Sequence, residues 1–188
     1  MPEIAGILYL EGFLPYERRA FDWALQNVRW DDRIRARKTA SFGVPYDYAG
    51  LTYDPQPFPA ELERVRALVE EAVGWTPNNC LLNYYPDGRS RMGFHSDSAM
   101  GLAPGSGVAI VSLGARRALR FRRIARLDER LDYVLAPGSL LHMPQHVQTE
   151  WQHALPRTSR PDPRISLTFR AVAHGARGSS DAVFPRPP

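Results

Sequence analysis

Short apolar segments separated by turns fill the second half of the chain, and this pattern constrains the fold more than any other feature. Such segments recur about every ten residues, a spacing typical of an antiparallel sandwich or barrel. The predicted strands are Asn79–Tyr85, Met92–Asp97, Val108–Leu113, Ala118–Arg123, Leu131–Leu135, Ser139–Met143, Glu150–Ala154 and Arg164–Arg170. Eight strands that follow two helices predict an α+β protein with a jelly-roll core.

The residues before position 75 follow other patterns. Apolar residues 4–14 predict a first strand and a turn. Helical spacing of apolar side chains predicts one helix from Pro15 to about Asn27 and a second over Pro59–Val73. The arginine-rich stretch Trp30–Thr39 is interpreted either as a strand edge or as a flexible basic loop, and Ser41–Tyr53 as an aromatic, turn-rich loop.

Length and composition indicate one domain, residues 1–188, long enough to bury a full core. Residues 176–188, rich in Gly, Ser and Pro, predict a loose tail. A single cysteine, Cys80, excludes a disulfide framework and a multi-cysteine zinc site. No signal peptide is visible and the apolar runs are too short to span a membrane, so we expect a cytoplasmic monomer without membrane contact. The net charge of +4 permits nucleic-acid binding without demonstrating it.

His95 and Asp97 are the first candidate metal ligands. Side chains two residues apart share one face of a strand, so this pair could bind one ion together. A third histidine would complete a site of two histidines and one carboxylate. Spacing alone does not decide between His153 and His142, and His146 lies in the same loop as His142.

The predicted strand Arg164–Arg170 alternates cleanly between two faces. The apolar face carries Ile165, Leu167 and Phe169, and the polar face carries Arg164, Ser166, Thr168 and Arg170. If the polar face is turned inward, its two arginines need an anionic partner, because buried charge is costly when unpaired. They could then bracket a small dicarboxylate next to the metal. The alternative is the exposed polar face of an ordinary sheet.

Four motifs occur in the chain in a recognisable order. They are Asn83-x-Tyr85, His95-x-Asp97, Trp151-x-His153 and the pair Arg164 and Arg170 six residues apart. This set resembles that of the AlkB-like dioxygenases, iron(II)- and 2-oxoglutarate-dependent enzymes that repair alkylated nucleic acid bases. The match runs through about residues 78–171 and, more weakly, over Ala40–Tyr53, which is similar to the family's nucleotide-recognition lid. The resemblance implies a double-stranded β-helix (jelly-roll) core over residues 76–175, with supporting helices and the lid in residues 1–75.

The resemblance also implies roles for individual residues. It makes His95, Asp97 and His153 the iron ligands and the catalytic centre, in preference to His142. The 2-oxoglutarate residues that it implies are Asn83, Tyr85, Arg164, Thr168 and Arg170. Among these, Arg164 would bind the distal carboxylate, and Arg170 would lie near the metal-proximal carboxylate and Asp97. The expected cofactors are iron(II), 2-oxoglutarate and dioxygen.

Candidate substrate residues lie in the first half of the chain. Tyr46 and Tyr48 are suited to stack on a base, and Arg37 and Lys38 to contact phosphates. Trp30 is a candidate to insert as a wedge into the gap that a flipped-out base leaves in a duplex. The alternative interpretation makes the tyrosines ordinary core aromatics and the basic residues a solvated face.

The resemblance implies an oxidative demethylase for N-alkylated bases of the 1-methyladenine and 3-methylcytosine type. It would hydroxylate the alkyl group and release the aldehyde, with succinate and carbon dioxide as coproducts, on alkylated DNA or RNA. Two departures are visible: Ala99 stands where relatives that repair duplex DNA often have an acidic residue, and Ser166 where the family usually has Asn. Ala99 motivates an alternative in which the same chemistry acts on RNA, protein or a small molecule. A non-catalytic nucleic-acid-binding jelly roll is the third possibility.

Overall fold

The computed structural model describes residues 3–48 and 51–173, with the side chains of residues 46–48 and Met100 outside the description. The predicted tail, residues 176–188, and His174 lie outside the described residues. The helices are α1 (Glu17–Asn27), α2 (Ala60–Val73) and the single turn α3 (Val147–Glu150). The strands are β1 (Leu8–Leu10), β2 (Lys38–Gly43), β3 (Tyr46–Tyr48), β4 (Leu51–Tyr53), β5 (Asn79–Tyr85), β6 (Met92–His95), β7 (Gly107–Gly114), β8 (Arg117–Arg123), β9 (Arg130–Leu135), β10 (Leu140–Pro144), β11 (Trp151–Leu155) and β12 (Arg164–Arg170).

Ten of these strands form two antiparallel sheets. The larger sheet has the order β1-β10-β7-β12-β5-β2, and the smaller has the order β6-β11-β8-β9. Strands β3 and β4 form a separate hairpin. Strands that follow each other in sequence are often in different sheets, as β5 and β6 are, which is typical of a jelly roll. The predicted α+β fold class with a jelly-roll core is therefore confirmed.

Helices α1 and α2 supply apolar side chains to a core that they share with one face of the larger sheet. From the helices this core receives Ala20, Phe21, Ala24, Leu62, Val65 and Val69, and from β7 and β12 Ala109, Val111, Leu113, Ile165, Leu167 and Phe169. Burial of each large side chain stabilises the fold by about 1.5–3 kcal/mol. Helix α2 ends at Gly74, whose φ of 75° is in the left-handed region that favours glycine.

A second core lies between the two sheets. Its members include Val108, Ile110, Leu119, Phe121, Leu135, Leu141, Met143, Trp151 and Leu155. Because strand side chains alternate, the residues of β5 and β12 that do not face the helices face this interior. Those residues include Asn83, Ser166 and Thr168, so a polar region is enclosed beside an apolar core.

Two segments before residue 55 differ from their predictions, whereas the first helix lies where it was predicted. The stretch Ser41–Tyr53, predicted to be a loop, contains the end of β2 and the strands β3 and β4. Strand β2 pairs with β5 from Lys38↔Tyr84 to Gly43↔Asn79, and hydrogen bonds of such long range leave no local sequence signal. The first strand is also shorter than residues 4–14 suggested, since only Leu8–Leu10 pairs with β10.

Two smaller corrections concern the strands that carry the candidate metal ligands. Strand β6 ends at His95 rather than Asp97, and Glu150 belongs to α3 rather than to the strand that follows it. In the described part of the chain, no helix combines the length and the apolar character that a membrane crossing requires.

Candidate active site

Three buried side chains from the smaller sheet meet at one point between the sheets. His95 ends β6, His153 lies directly opposite it on β11, and Asp97 follows two residues after His95. Their ligand atoms all lie within 4.8 Å of one another, and His153 Nε2 is 3.8 Å from Asp97 Oδ2. Two imidazoles and one carboxylate are the donor set that binds iron(II) on one face and leaves other positions open.

The other histidines of the described chain lie elsewhere. His142, on β10, accepts a 3.4 Å hydrogen bond at Nε2 from Trp75 Nε1. His146 Nε2 lies 3.1 Å from the carbonyl oxygen of Ala5 near the surface. The geometry therefore selects His153 as the partner of His95 and Asp97, a choice that spacing alone left open.

A hydrogen bond orients the ring of His95. Its Nδ1 lies 2.9 Å from the carbonyl oxygen of Gly93, so Nδ1 carries the proton and donates it. This tautomer leaves the lone pair of Nε2 available for a metal, an arrangement common among histidine ligands.

Charge and burial set the protonation states of the three groups. Burial raises the pKa of the Asp97 carboxyl, but the positive charge of Arg170 and the two histidines outweigh it and lower the pKa to about 2. Arg170 donates to Asp97 Oδ1 from Nη2 at 2.6 Å and from Nε at 3.2 Å. Burial lowers the pKa of His153 to about 3 and also lowers the pKa of His95. At neutral pH the group is thus one carboxylate and two neutral imidazoles, the forms that bind metal.

Arg164 lies on β12 in the same interior, with 2% of its surface exposed. Its Nη2 donates a 2.8 Å hydrogen bond to Ser112 Oγ, and its guanidinium lies over the Tyr85 ring, 5.5 Å from the centroid. Its Nε has no hydrogen-bond partner among the described residues. Burial lowers its pKa to about 10, and the guanidinium remains charged at neutral pH. A buried cation with a free donor is suited to bind an anion, and a carboxylate can accept two parallel bonds from such a fork.

One cleft unites the candidate metal ligands and the candidate cosubstrate residues. Its lining includes His95, Asp97, His153, Asn83, Tyr85, Arg164, Thr168 and Arg170. The ends of β12 are six residues apart, or about 20 Å along the backbone. Arg170 contacts Asp97, and Arg164 lies further along the cleft. This arrangement suits an elongated dicarboxylate. The residues fit iron(II) and 2-oxoglutarate.

The candidate substrate residues are distributed over several environments. Arg37 is 8% exposed and donates from Nε at 2.8 Å to Oδ1 of Asn83, which lines the cleft, so it does not lie on a solvated surface. Lys38 is exposed on the edge strand β2. Trp30 packs on Tyr84 with ring centroids 5.2 Å apart and contacts the helix-side core, so its ring is half-buried. The predicted roles of these residues toward a substrate stay predictions.

Tyr46 and Tyr48 belong to β3, which pairs with β4. Their side chains lie outside the described part of the structure, and their predicted stacking on a base stays a prediction. Residues 49 and 50 of the predicted lid also lie outside it.

Sequence reasoning missed two polar residues at the site. Ser112 holds Arg164, and it shares the inward face of β7 with Val108 and Ile110, so strand alternation contained a signal for it. Gln148 bonds the backbone of Asp97 from α3, 51 residues away in sequence. No local pattern pointed to Gln148.

Comparisons with known proteins agree with this geometry. Residues 16–170 match the sequence model of the 2OG-Fe(II) oxygenase superfamily. The DNA oxidative demethylase ALKBH2 of Mus musculus is 43% identical over 172 residues, which are 85% of this chain and 72% of that protein. ALKBH2 of Homo sapiens is 42% identical over 147 residues. The match covers 72% of this chain and little more than half, 56%, of that protein.

A second group of relatives and one solved structure are also similar. The Alpha-ketoglutarate-dependent dioxygenase alkB homolog 3 of Rattus norvegicus is 32% identical over 210 residues, which cover 97% of this chain and 70% of that protein. The structure of OsALKBH1 superposes with a TM-score of 0.70 at 17% identity and covers 90% of this chain and 100% of that one. At this identity the likeness concerns the fold.

Proposed function

The chain belongs to the AlkB-like family of 2OG-Fe(II) oxygenases, and we propose that it repairs N-alkylated nucleic acid bases by oxidative demethylation. As a member of this family it is a dioxygenase whose cofactors are iron(II), 2-oxoglutarate and dioxygen. The proposed substrates are bases of the 1-methyladenine and 3-methylcytosine type in DNA or RNA. Support for them comes from relatives that are themselves named DNA oxidative demethylases.

One observation carries the assignment of the residues. A buried guanidinium with a free Nε, that of Arg164, lies in the same cleft as a cluster of two histidines and an aspartate. A dicarboxylate cosubstrate accounts for the guanidinium and an iron ion accounts for the cluster. We assign His95, Asp97 and His153 to the metal and Arg164 to the distal carboxylate of 2-oxoglutarate.

The remaining cleft residues would position these groups. Arg170 holds Asp97 Oδ1, which leaves Oδ2 turned toward His153 and the metal position. Arg37 holds Asn83 Oδ1, so the amide group of Asn83 is oriented and its Nδ2 can donate to the cosubstrate. Tyr85 and Thr168 line the same space.

Bound iron and 2-oxoglutarate would supply the oxidising chemistry that hydroxylates the N-alkyl group, with succinate and carbon dioxide as coproducts. The protein contributes the donor set in its metal-binding protonation state, the anion fork and an interior that excludes water. Apolar side chains, among them Ile110, Leu119 and Leu155, also line the cleft. Such shielding strengthens the electrostatic interactions between the protein and its cosubstrate.

A buried cleft also constrains the substrate. A base stacked inside a duplex cannot reach it, so the base must be flipped out or presented in a single strand. We propose that Tyr46 and Tyr48 stack on that base, an interaction that contributes about 1–3 kcal/mol per base, and that Lys38 contacts phosphate. Alanine at either tyrosine should raise the KM for the oligonucleotide more than the KM for 2-oxoglutarate.

The direct test is turnover of oligonucleotides that carry 1-methyladenine or 3-methylcytosine, with iron(II), 2-oxoglutarate and ascorbate present. We expect succinate and formaldehyde in equal amounts, and neither from the His95→Ala variant or from unmethylated oligonucleotide above background. Single-stranded DNA, duplex DNA and RNA are compared in parallel. Absence of turnover on all three would refute the repair assignment, and succinate release with a protein or small molecule would favour the alternative substrates. Unchanged function in His95→Ala would favour a binding module.

We also propose that the protein works as a monomer in the cytoplasm. Its ordinary composition and its single buried cysteine, a usage typical of proteins in a reducing compartment, support this proposal. Light scattering after gel filtration and cell fractionation would test the two parts separately.

A further inference from the structure

Gln148 connects the short helix α3 to the backbone of Asp97. Its Oε1 accepts a hydrogen bond from the Asp97 backbone N–H at 2.9 Å, and its side chain is buried, with 4% of the residue exposed. Helix α3 leads directly into β11, which carries His153. The bond therefore joins the segments that supply two of the three proposed metal ligands.

The orientation of the Gln148 amide group follows from its two neighbours. Its Nε2 lies 3.6 Å from Met143 Sδ, and a thioether sulfur can only accept a hydrogen bond. The Asp97 N–H can only donate. The oxygen must therefore face Asp97 and the nitrogen must face Met143, so that exchanging the two atoms would lose both interactions.

Asp97 lies beyond the last paired residue of β6. The ladder between β6 and β11 pairs His95 with His153, and continuing this antiparallel register would place Asp97 opposite Trp151. Strand β6 ends at His95, however, and β11 begins only at Trp151, immediately after α3. Asp97 therefore lies outside the ladder, and its backbone N–H bonds a side-chain amide from α3.

Two side chains thus hold Asp97, one at its carboxylate and one at its backbone. Arg170 binds Oδ1 from the larger sheet, while Gln148 anchors the backbone from the smaller one. Oδ2 then faces His153 Nε2 at 3.8 Å. Without the bond from Gln148, Arg170 would attract the side chain of Asp97, whose backbone lies beyond the end of β6.

We propose that Gln148 is a positioning residue for metal binding, which fixes the backbone of Asp97 so that its carboxylate meets the two imidazoles at one point. This inference rests on the proposed metal site and adds a residue outside the ligand set. Groups that orient metal ligands typically contribute 10- to 100-fold to metal affinity.

The test compares Gln148→Met with Gln152→Met in the full chain. Gln152 is a matched control because it precedes the ligand His153, yet its Oε1 bonds Arg122 outside the cleft. Mn²⁺ or Zn²⁺ binding is measured by calorimetry without 2-oxoglutarate, and the stability of the metal-free proteins by denaturation. We expect metal affinity to fall 10- to 100-fold in Gln148→Met and less than threefold in Gln152→Met.

Each outcome decides a separate point. If the wild-type chain binds no metal, the proposed metal site fails, and with it the basis of this inference. If the wild type binds but Gln148→Met binds equally well, or loses only stability, Gln148 is structural and the inference is overturned. Equal losses in both variants would also overturn it.

A second variant, Gln148→Glu, tests the positioning role if Gln148→Met does not fold. Gln148→Glu keeps an acceptor oxygen for the Asp97 N–H, and its added negative charge cannot by itself weaken the binding of a cation. We expect the metal affinity of Gln148→Glu to equal or exceed that of the wild type. A loss of tenfold or more would contradict the positioning role.

Discussion

Replacing Arg164 by methionine should change stability and cosubstrate binding in opposite directions. Without a ligand, burial lowers the pKa of this guanidinium from its ordinary value to about 10, which corresponds to about 3 kcal/mol of unfavourable free energy at neutral pH. Its hydrogen bond to Ser112 and its contact with the Tyr85 ring offset part of that cost. Methionine removes the charge and keeps much of the packing, so we expect the metal-free variant to be more stable by about 1–2 kcal/mol.

The effect on 2-oxoglutarate should be a large loss of affinity. Removal of one partner from a buried, hydrogen-bonded charge pair costs about 2–5 kcal/mol. The KM for 2-oxoglutarate should therefore rise at least about 30-fold. At saturating 2-oxoglutarate, kcat should change much less, because Arg164 lies away from the metal cluster at the other end of β12.

Two measurements on each protein decide the question: urea denaturation of the metal-free form, and the dependence of turnover on 2-oxoglutarate concentration. Arg120→Met is the control, since Arg120 is partly exposed and pairs with Asp132 at the surface, where ion pairs contribute about 0–1 kcal/mol. It should leave KM unchanged. A less stable Arg164→Met protein with an unchanged KM would refute the reasoning.

Three further predictions follow from the same buried charges and from one tight turn. Asp97→Ala should abolish metal binding in calorimetry and should lower the unfolding free energy by about 3–5 kcal/mol, because Arg170 loses its buried carboxylate partner; an unchanged unfolding free energy would contradict this. Since burial lowers the pKa of His153 from 6.5 to about 3, its contribution to stability is complete above pH 6.5 and is lost as the pH falls. Metal-free protein should lose up to about 1.4 kcal/mol per pH unit through this group, and His153→Asn should remove that part of the slope in denaturation curves. Gly88→Ala should lower the Tm by several degrees, because a Cβ would overlap the backbone of the β11–β12 loop, whereas Gly93→Ala, with nothing within 4 Å of its Cβ, should not.

Local patterns predicted the elements that surround the cleft well. Strands β5 and β12 begin and end at the predicted residues, and α2 differs from its prediction by one residue. In β12 the alternation of Arg164–Arg170 identified both faces, and the structure shows that the polar face is buried as well as the apolar one. Alternation specifies which side chains share a face, but not whether solvent or a second sheet covers that face.

The edge strand β2 shows what local patterns do not predict. Its first two residues belong to the stretch interpreted as a strand edge or a basic loop, and most of the rest is predicted as an aromatic loop, yet Lys38–Gly43 completes the larger sheet. The strand depends on hydrogen bonds to β5, about forty positions later, as in the pair Lys38↔Tyr84. The same pairing brings Arg37 next to Asn83, which lines the cleft, although the sequence neighbours of Arg37 suggested a solvated surface.

By itself, the sequence determined the order of the chemical groups: a His-x-Asp pair, a later histidine, and two arginines at fixed positions on one strand face. It also indicated the family, which the comparisons confirm. The resemblance implied His153 and Arg170 for this group, but only the tertiary structure shows them next to Asp97 and shows that Gln148 bonds the Asp97 backbone. These contacts join residues 51 to 73 positions apart. They depend on strand register between and within two sheets, which no single segment encodes.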